Sequence, residues 1–275
     1  MIELSSVAAE TDFEITICVV IFKPDRIVLE KTLESLRGAL ERMSPCKAKL
    51  YIVDNSPGVP EHDWLRAILR GFTFEIIAGH GNVGFGKANN MVLDRVGKLH
   101  LVLNPDVEME PAALERGLAF MTENPDCGLV TPEAFNPDGS KQYLCKRYPA
   151  VFDLLLRGFA PSWIKAFFRE RLQRYEMRDQ IIDTVAWDPP IVSGCFMLFR
   201  GGVFQKLNGF DSRYLLYFED FDISLRTGKI ARIAYVPAVR IVHGGGHAAR
   251  KGLWHIWQFA RSALIFYTTY PLKLF

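Results

Sequence analysis

Carboxylates placed just past apolar runs are the first sign of chemistry in this chain. Leu99-His-Leu-Val-Leu103 is closed by Asn104-Pro105-Asp106. An acid in that position can hold a divalent cation against a diphosphate. Asn-Pro-Asp recurs at 124–126 and 136–138, where it reads as a turn. A second acidic cluster, Tyr217-Phe218-Glu219-Asp220-Phe221-Asp222, runs on to Arg226 at a predicted helix start. Acids there complement the helix dipole, and Asp222 to Arg226 has the i,i+4 spacing of an ion pair worth about 0.2–0.5 kcal/mol. That accounts for Asp222 but not for two adjacent acids among aromatics. One of Glu219 and Asp220 is a candidate general base, a role worth about 10²–10⁴-fold in rate.

Two glycine-rich loops add phosphate chemistry. Gly79-His-Gly-Asn-Val-Gly84 fits Gly-x-Gly-x-x-Gly, and Asp106 follows at roughly the ~20-residue distance of a ribose-binding acid. A dinucleotide site is therefore one reading. Against it, the loop follows the third predicted strand, whereas that fold places it after the first. It would also leave Asp54 and the C-terminal residues without a role. His243-Gly-Gly-Gly-His247 has the spacing of a metal pair on a helix, but three glycines do not hold a helix. A loop with free N–H groups suits a diphosphate, with one histidine left for a metal.

The elements that must position these residues follow an α/β pattern. Ile15–Phe22 is a β-rich run stopped by Lys23-Pro24-Asp25, and Leu29, Leu33, Leu36 and Leu40 mark an amphipathic helix over 27–40. Strands are predicted at 49–53, 72–77 and 99–103, with helices at 64–69 and 88–96. Later strands are predicted at 191–200, 232–236 and 239–242. Such alternation implies a mostly parallel sheet with helices on both faces. Ligands then sit beyond the carboxyl ends of the strands, where Asp54, the 79–86 loop and Asp106 converge.

The chain has 275 residues with a net charge of +2, too balanced for a protein that coats nucleic acid. Its five cysteines are scattered without a Cys-x-x-Cys pair, which points to a reducing compartment. The first residues carry acids and no signal-peptide core, and no run approaches the ~18 apolar residues of a spanning helix. A cytoplasmic protein is expected. Residues 12–250 read as one domain and 251–275 as an aromatic, basic helical tail. Arg157 to Arg178 reads as a basic amphipathic helix, and its combination with the tail (Trp254, Trp257, Phe266, Tyr267, Tyr270, Lys273) favours contact with an anionic membrane surface.

Taken in order, Val19–Phe22, Ile52–Ser56, Gly81–Asn90, Leu103–Val107, Ser193–Met197, Gly209–Asp211, Phe218–Asp222 and His243 resemble bacterial family 2 glycosyltransferases, in the rhamnosyltransferase branch. The resemblance implies a GT-A fold, a nucleotide-diphosphate sugar and a divalent cation, Mg or Mn. By the resemblance Asp54 reads the pyrimidine base, and Phe22, Asn82, Gly84, Lys87, Asn89 and Asn104 line the nucleotide sugar. Asp106 matches the last acid of the family's Asp-x-Asp motif, with Asn104 where the first acid stands, and His243 matches a further metal ligand. Asp220 matches the catalytic base, and Ser193, Gly194, Glu219 and His247 border the sugar pocket. The implied reaction is an inverting transfer of rhamnose from dTDP-rhamnose to a lipopolysaccharide or other glycan acceptor, free or lipid-linked, at the inner face of the cell membrane. A UDP-hexose or galactofuranose donor is the alternative within the class. An NAD(P)-dependent oxidoreductase and a non-catalytic sugar-binding module are the alternatives outside it. An intact Glu219-Asp220 argues against the module, which needs no base.

Overall fold

A computed structural model describes residues 13–58, 62–244 and 252–275. The first half alternates as the apolar pattern requires: β1 (Ile15–Ile21), α1 (Arg26–Arg42), β2 (Ala48–Asp54), α2 (Asp63–Ile68), β3 (Phe74–Ile77), α3 (Phe85–Asn89) and β4 (Leu99–Leu103). Asp25 caps α1 by accepting from the N–H groups of Ile27 and Val28, and Leu29, Leu33 and Leu36 are buried on the sheet. Each such leucine stabilises the fold by about 1.5–3 kcal/mol.

The second half contains β5 (Val107–Met109), α4 (Ala113–Glu123), β6 (Cys127–Phe135), β7 (Lys141–Gln142) and β8 (Cys145–Lys146). Three short helices follow, α5 (Val151–Phe159), α6 (Ser162–Phe167) and α7 (Arg169–Tyr175). The chain then forms β9 (Ala186–Trp187), β10 (Ile191–Val192), β11 (Phe196–Arg200), α8 (Gly201–Lys206), α9 (Glu219–Thr227), β12 (Arg232–His243) and α10 (Leu253–Thr269).

The main sheet runs β3-β2-β1-β4-β11-β6-β12-β5, and most paired residues lie in parallel ladders. β11 is the exception that matters. It lies antiparallel between β4 and β6, so its first residues stand beside the carboxyl end of β4. β5 pairs antiparallel with the end of β12, placing His243 opposite Val107.

Several expectations need correction. The strand expected over 191–200 is two, β10 and β11, interrupted at Ser193-Gly194-Cys195. A Cβ on Gly194 would sit 3.3 Å from the Cβ of Asp220, so the break is where the sheet meets α9. The basic helix expected near 157–178 is α5, α6 and α7, with Pro161 and Phe168 at the breaks. The helix expected at 88–96 begins earlier, at Phe85, and passes into a 3₁₀ turn over Asn90–Arg95. There Asn90 clamps Phe210 through both of its backbone polar groups. The two strands expected at 232–236 and 239–242 are one, bulged between Val236 and Arg240. β6 has no counterpart among the predicted strands.

Candidate active site

The first group of candidate residues sits at the ends of β1 and β2. Phe22 follows β1 and is 49% exposed. Asp54, the last residue of β2, is buried, and its Oδ1 accepts from the Ser56 N–H at 2.8 Å. Its Oδ2 lies 2.9 Å from His62 Nε2, so both oxygens are engaged. Asn55 ties three segments together: its N–H donates to Ile21, its Nδ2 to the Gly84 carbonyl, and its Oδ1 faces His80 Nε2 at 2.9 Å. A depression lined by Lys23, Arg26, Asp54, Ser56, His62 and Trp64 opens beside Asp54, with the Arg26 guanidinium over the Trp64 ring.

The glycine-rich loop does something other than cradle phosphate with every N–H. Gly84 stands at φ +90°, and a Cβ there would approach the Leu215 carbonyl to 2.4 Å. Its N–H donates to Asn82 Oδ1, and the Phe85 N–H donates to Leu215. Those two donors are spent on shaping the turn. Asn82 on the loop and Lys87 on α3 are exposed, whereas Asn89 is fully buried and donates to the Phe85 carbonyl.

Asp106 and His243 meet across the β5–β12 pairing, with Oδ1 and Nε2 3.5 Å apart. Gln142 donates through Nε2 to the carbonyl of His243 and to Asn136 Oδ1, so its Oε1 is the acceptor left for His243 Nδ1 at 3.0 Å. That arrangement puts the ring proton on Nδ1 and leaves the Nε2 lone pair facing Asp106. The donor set, one carboxylate and one oriented imidazole, suits a hard cation that draws its other ligands from phosphates and water. Among the described residues no group of three or more His, Cys, Asp or Glu could hold a metal by itself. His247 lies outside the described residues.

Glu219 and Asp220 open α9 beside Gly194, and the charges of Asp106 and Asp220 both reach the Cys195 thiol. The Asn104 N–H donates to the Cys195 carbonyl, which joins the end of β4 to the start of β11. Gly194 N–H donates to Asp220 Oδ2 at 3.3 Å, and Phe221 N–H to Oδ1 at 3.0 Å. Ser193 is half-buried beside it, its N–H donating to Leu144. Glu219 is buried, and its Oε2 has no hydrogen-bond partner. Burial pushes both carboxyls above the ordinary range, and for Glu219 the neighbouring Asp220 charge adds to it. The two N–H groups on Asp220 favour its ionised form, so Glu219 is the partner that keeps its proton. Tyr217 and Phe218, just before them, hold left-handed φ angles of 69° and 66°. Non-glycine residues there cost about 1–3 kcal/mol each, a strain typical of functional sites.

The family model for glycosyl transferase family 2 matches residues 16–207. The chain belongs to this family. It is 28% identical over 258 residues to the N-acetylglucosaminyl-diphospho-decaprenol L-rhamnosyltransferase of Mycobacterium tuberculosis, covering 86% of this chain and 79% of the relative. It is 26% identical over 246 residues to the rhamnosyltransferase WbbL of Escherichia coli K12, covering 83% and 84%. GalNAc-T7, solved with UDP, GalNAc and Mn2+, superposes with a TM-score of 0.60 at 14% identity, over 86% of this chain and 46% of that one. S. aureus TarS 1–349 superposes with a TM-score of 0.55 at 13% identity, over 83% and 59%. This chain thus spans about half the length of those structures, and the likeness is one of fold. The transferase has the GT-A glycosyltransferase architecture that the resemblance implied. Membership of the family closes the oxidoreductase and binding-module alternatives.

Some residues of the transferase's site carried no sequence signal. Gln142 orients His243 from a two-residue strand, and His62 reaches Asp54 through a contact made only on folding. The i,i+4 ion pair expected between Asp222 and Arg226 is present, but its Asp222 end is buried. Asp222 Oδ2 receives Arg226 at 2.7 Å and its Oδ1 receives the Tyr270 hydroxyl at 2.7 Å. Arg226 also donates to the carbonyls of Leu207 and Gly209. The pair is therefore a clamp between α9, the 207–209 turn and the end of α10, not a surface pair. Asp222→Asn should cost about 1.5–3 kcal/mol, because a charged acceptor is lost to two donors. Urea unfolding midpoints check this, and a shift no larger than that of an exposed pair would refute the clamp.

Proposed function

We propose that this glycosyltransferase moves L-rhamnose from dTDP-rhamnose onto a cell-surface glycan precursor, with inversion at the anomeric carbon. The observation that carries the reading is that Asp106, paired with His243, and Asp220, held by Gly194, both act on the Cys195 thiol where β4 and β11 are joined, in a family 2 chain whose curated relatives are named rhamnosyltransferases. The acceptor hydroxyl gives its proton to Asp220 and attacks the anomeric carbon from the face opposite the diphosphate, a single in-line displacement. Asp106 and His243 would hold the divalent cation, which when bound neutralises charge on the diphosphate. Asp54 and the depression beside it take the nucleotide base, and Phe22 flanks them. The Mycobacterium tuberculosis relative is named for an N-acetylglucosaminyl-diphospho-decaprenol acceptor, which favours a lipid-linked glycan here.

A thermal-shift panel of dTDP-rhamnose, UDP-hexoses and UDP-galactofuranose, followed by turnover with the best donor, tests the reading. dTDP-rhamnose should give the largest shift. A larger shift and faster turnover with a UDP-sugar would replace the donor.

Work on a lipid-linked acceptor calls for a membrane face, and the surface of α5, α6 and α10 supports one. Trp163 and Phe167 are 74% and 82% exposed at i,i+4 on α6, beside Leu155 and Phe159 on α5. The Phe152 ring packs against Phe168 and Phe275, which joins this patch to the chain end. Leu253, Trp257 and Leu264 lie exposed on the outer side of α10, whose inner side buries Gln258, Ser262 and Phe266. Arg169 and Arg174 are exposed beside the patch. Among the described residues no helix is long and apolar enough to cross a membrane. Peripheral binding to the cytoplasmic leaflet is the reading that fits a basic, aromatic face. Sedimentation with phosphatidylglycerol vesicles should fall as salt rises. Equal recovery in the supernatant at low and high salt would remove the idea.

A further inference from the structure

A knot of cations that the donor chemistry does not use lies next to the base. Lys146, on β8, is 5% exposed, and its Nζ donates to the Tyr143 carbonyl. Among the described residues it meets a carboxylate only at 3.9 Å, at Glu176 Oε1. The same oxygen lies 3.9 Å from Arg157 Nε, and the other oxygen of Glu176 takes Arg178 at 2.6 Å. Three cations thus share one carboxylate in a partly dehydrated place. Burial, together with the Arg157 charge, draws the Lys146 ammonium down to about 7, which the distant Glu176 does not offset. A buried cation without a counterion of its own is unfavourable to the fold, and a bound anion would relieve it.

The knot is connected to the base through backbone. β8 pairs with β10, which runs directly into Ser193-Gly194, and the Gly194 N–H holds Asp220. Tyr175, which ends α7 just before Glu176, is buried against the aromatic cluster that includes Phe218. The Arg157 charge is felt at Asp220 itself. Arg157 also sits on α5, whose Leu155 and Phe159 open onto the apolar face. In an in-line displacement the leaving diphosphate lies on the side of the anomeric carbon opposite the base. Cations beside the base therefore face the acceptor.

We propose that Lys146, Arg157 and Arg178 receive the phosphate or diphosphate that joins the acceptor sugar to its lipid. This rests on the lipid-linked acceptor proposed above. The acceptor hydroxyl would lie at Asp220, its anomeric phosphates on the cations, and its chain over α5 and α6. The three requirements of such a substrate then follow one another along a single wall of the protein. Charge-assisted contacts of this kind are the strong ones for phosphate, and Arg supplies them in pairs.

The test uses the full chain with two substitutions, Lys146→Met and Arg157→Gln, and three probes. These are farnesyl diphosphate, farnesyl-diphospho-N-acetylglucosamine, and the farnesyl N-acetylglucosaminide that lacks phosphates. Lys146→Met should melt no lower than the natural protein, because it replaces an under-paired buried charge with an apolar chain of similar length. Both variants should bind farnesyl diphosphate about tenfold more weakly, as loss of a charged hydrogen bond implies. The acceptor KM should rise by a similar factor with kcat and donor KM unchanged, and the preference for the phosphorylated acceptor should vanish. Farnesyl diphosphate binding needs no turnover, so the donor assignment can fail while this inference stands. Unchanged binding in both variants would overturn it. A raised donor KM with an unchanged acceptor KM would give the cations to the donor instead. An equal loss of affinity for phosphatidylglycerol vesicles without acceptor would give them to bilayer headgroups. If Lys146→Met failed to fold, Arg157→Gln, at a half-exposed side chain, would decide alone.

Discussion

Asp220→Asn is expected to lower turnover by about two orders of magnitude or more while leaving donor affinity intact. The asparagine keeps the shape and can still accept the Gly194 and Phe221 N–H bonds through its oxygen, but it takes no proton at neutral pH. Donor affinity should survive because in the proposed in-line displacement the base acts on the acceptor hydroxyl, opposite the diphosphate. The pH dependence carries the same signature. Burial raises the Asp220 carboxyl, so the rate should climb with pH through a limb that lies above the ordinary carboxylate range, and the variant should lack that limb. Stability moves the other way. A carboxyl whose folded pKa is raised leaves the fold most favoured below its unfolded pKa and weakens it as pH rises through the folded value. Asp220→Asn should therefore melt higher than the natural protein on the alkaline side. Turnover, calorimetric donor binding and melting at two pH values check the three parts. Near-natural turnover in Asp220→Asn would mean that Glu219, or neither acid, is the base.

Asp106→Ala is expected to weaken nucleotide-diphosphate binding by about a hundredfold and to abolish its dependence on Mg or Mn, without unfolding the chain. The side chain is partly exposed, and the bond from Gly244 N–H goes to the Asp106 carbonyl, which alanine retains. In the proposed site the substitution removes one of two candidate ligands and leaves a lone imidazole, too little to place a hard cation. Gln142→Ala should act in the same direction but more weakly, by about tenfold, because it frees the His243 ring without removing a ligand. Calorimetric titration of dTDP with and without Mn2+ measures both. If Asp106→Ala kept its metal-dependent affinity, the pairing with His243 would be a structural contact only.

Much of the frame could be read from residue types. The continuous apolar runs at 15–21 and 99–103 become β1 and β4, because a strand buried on both faces has no polar side to alternate with. The spacing of Leu29, Leu33 and Leu36 gave α1, and the strand ends marked Asp54 and Asp106. β6 was not legible, since Gly128, Pro132 and Glu133 interrupt its pattern. Pro132 and Glu133 are tolerated at the centre of the sheet only because the bulge in β12 adjusts the pairing, and Arg240 and Lys141 neutralise Glu133.

Local sequence thus determined which carboxylates lie past strand ends, and the ordered motifs pointed to the family. Tertiary structure decided how those acids are used. The antiparallel insertion of β11 brings Gly194 beside Asn104 and gives Asp220 one of its two N–H donors, the other being Phe221 on its own helix. The pairing of β5 with β12 brings His243 to Asp106, and the docking of α10 turns Asp222 from a surface charge into a clamp. Each of these depends on residues far apart in the chain meeting at a register that side-chain packing selects. Periodicity reports only which face of an element is apolar, and it is silent on which distant element will cover that face.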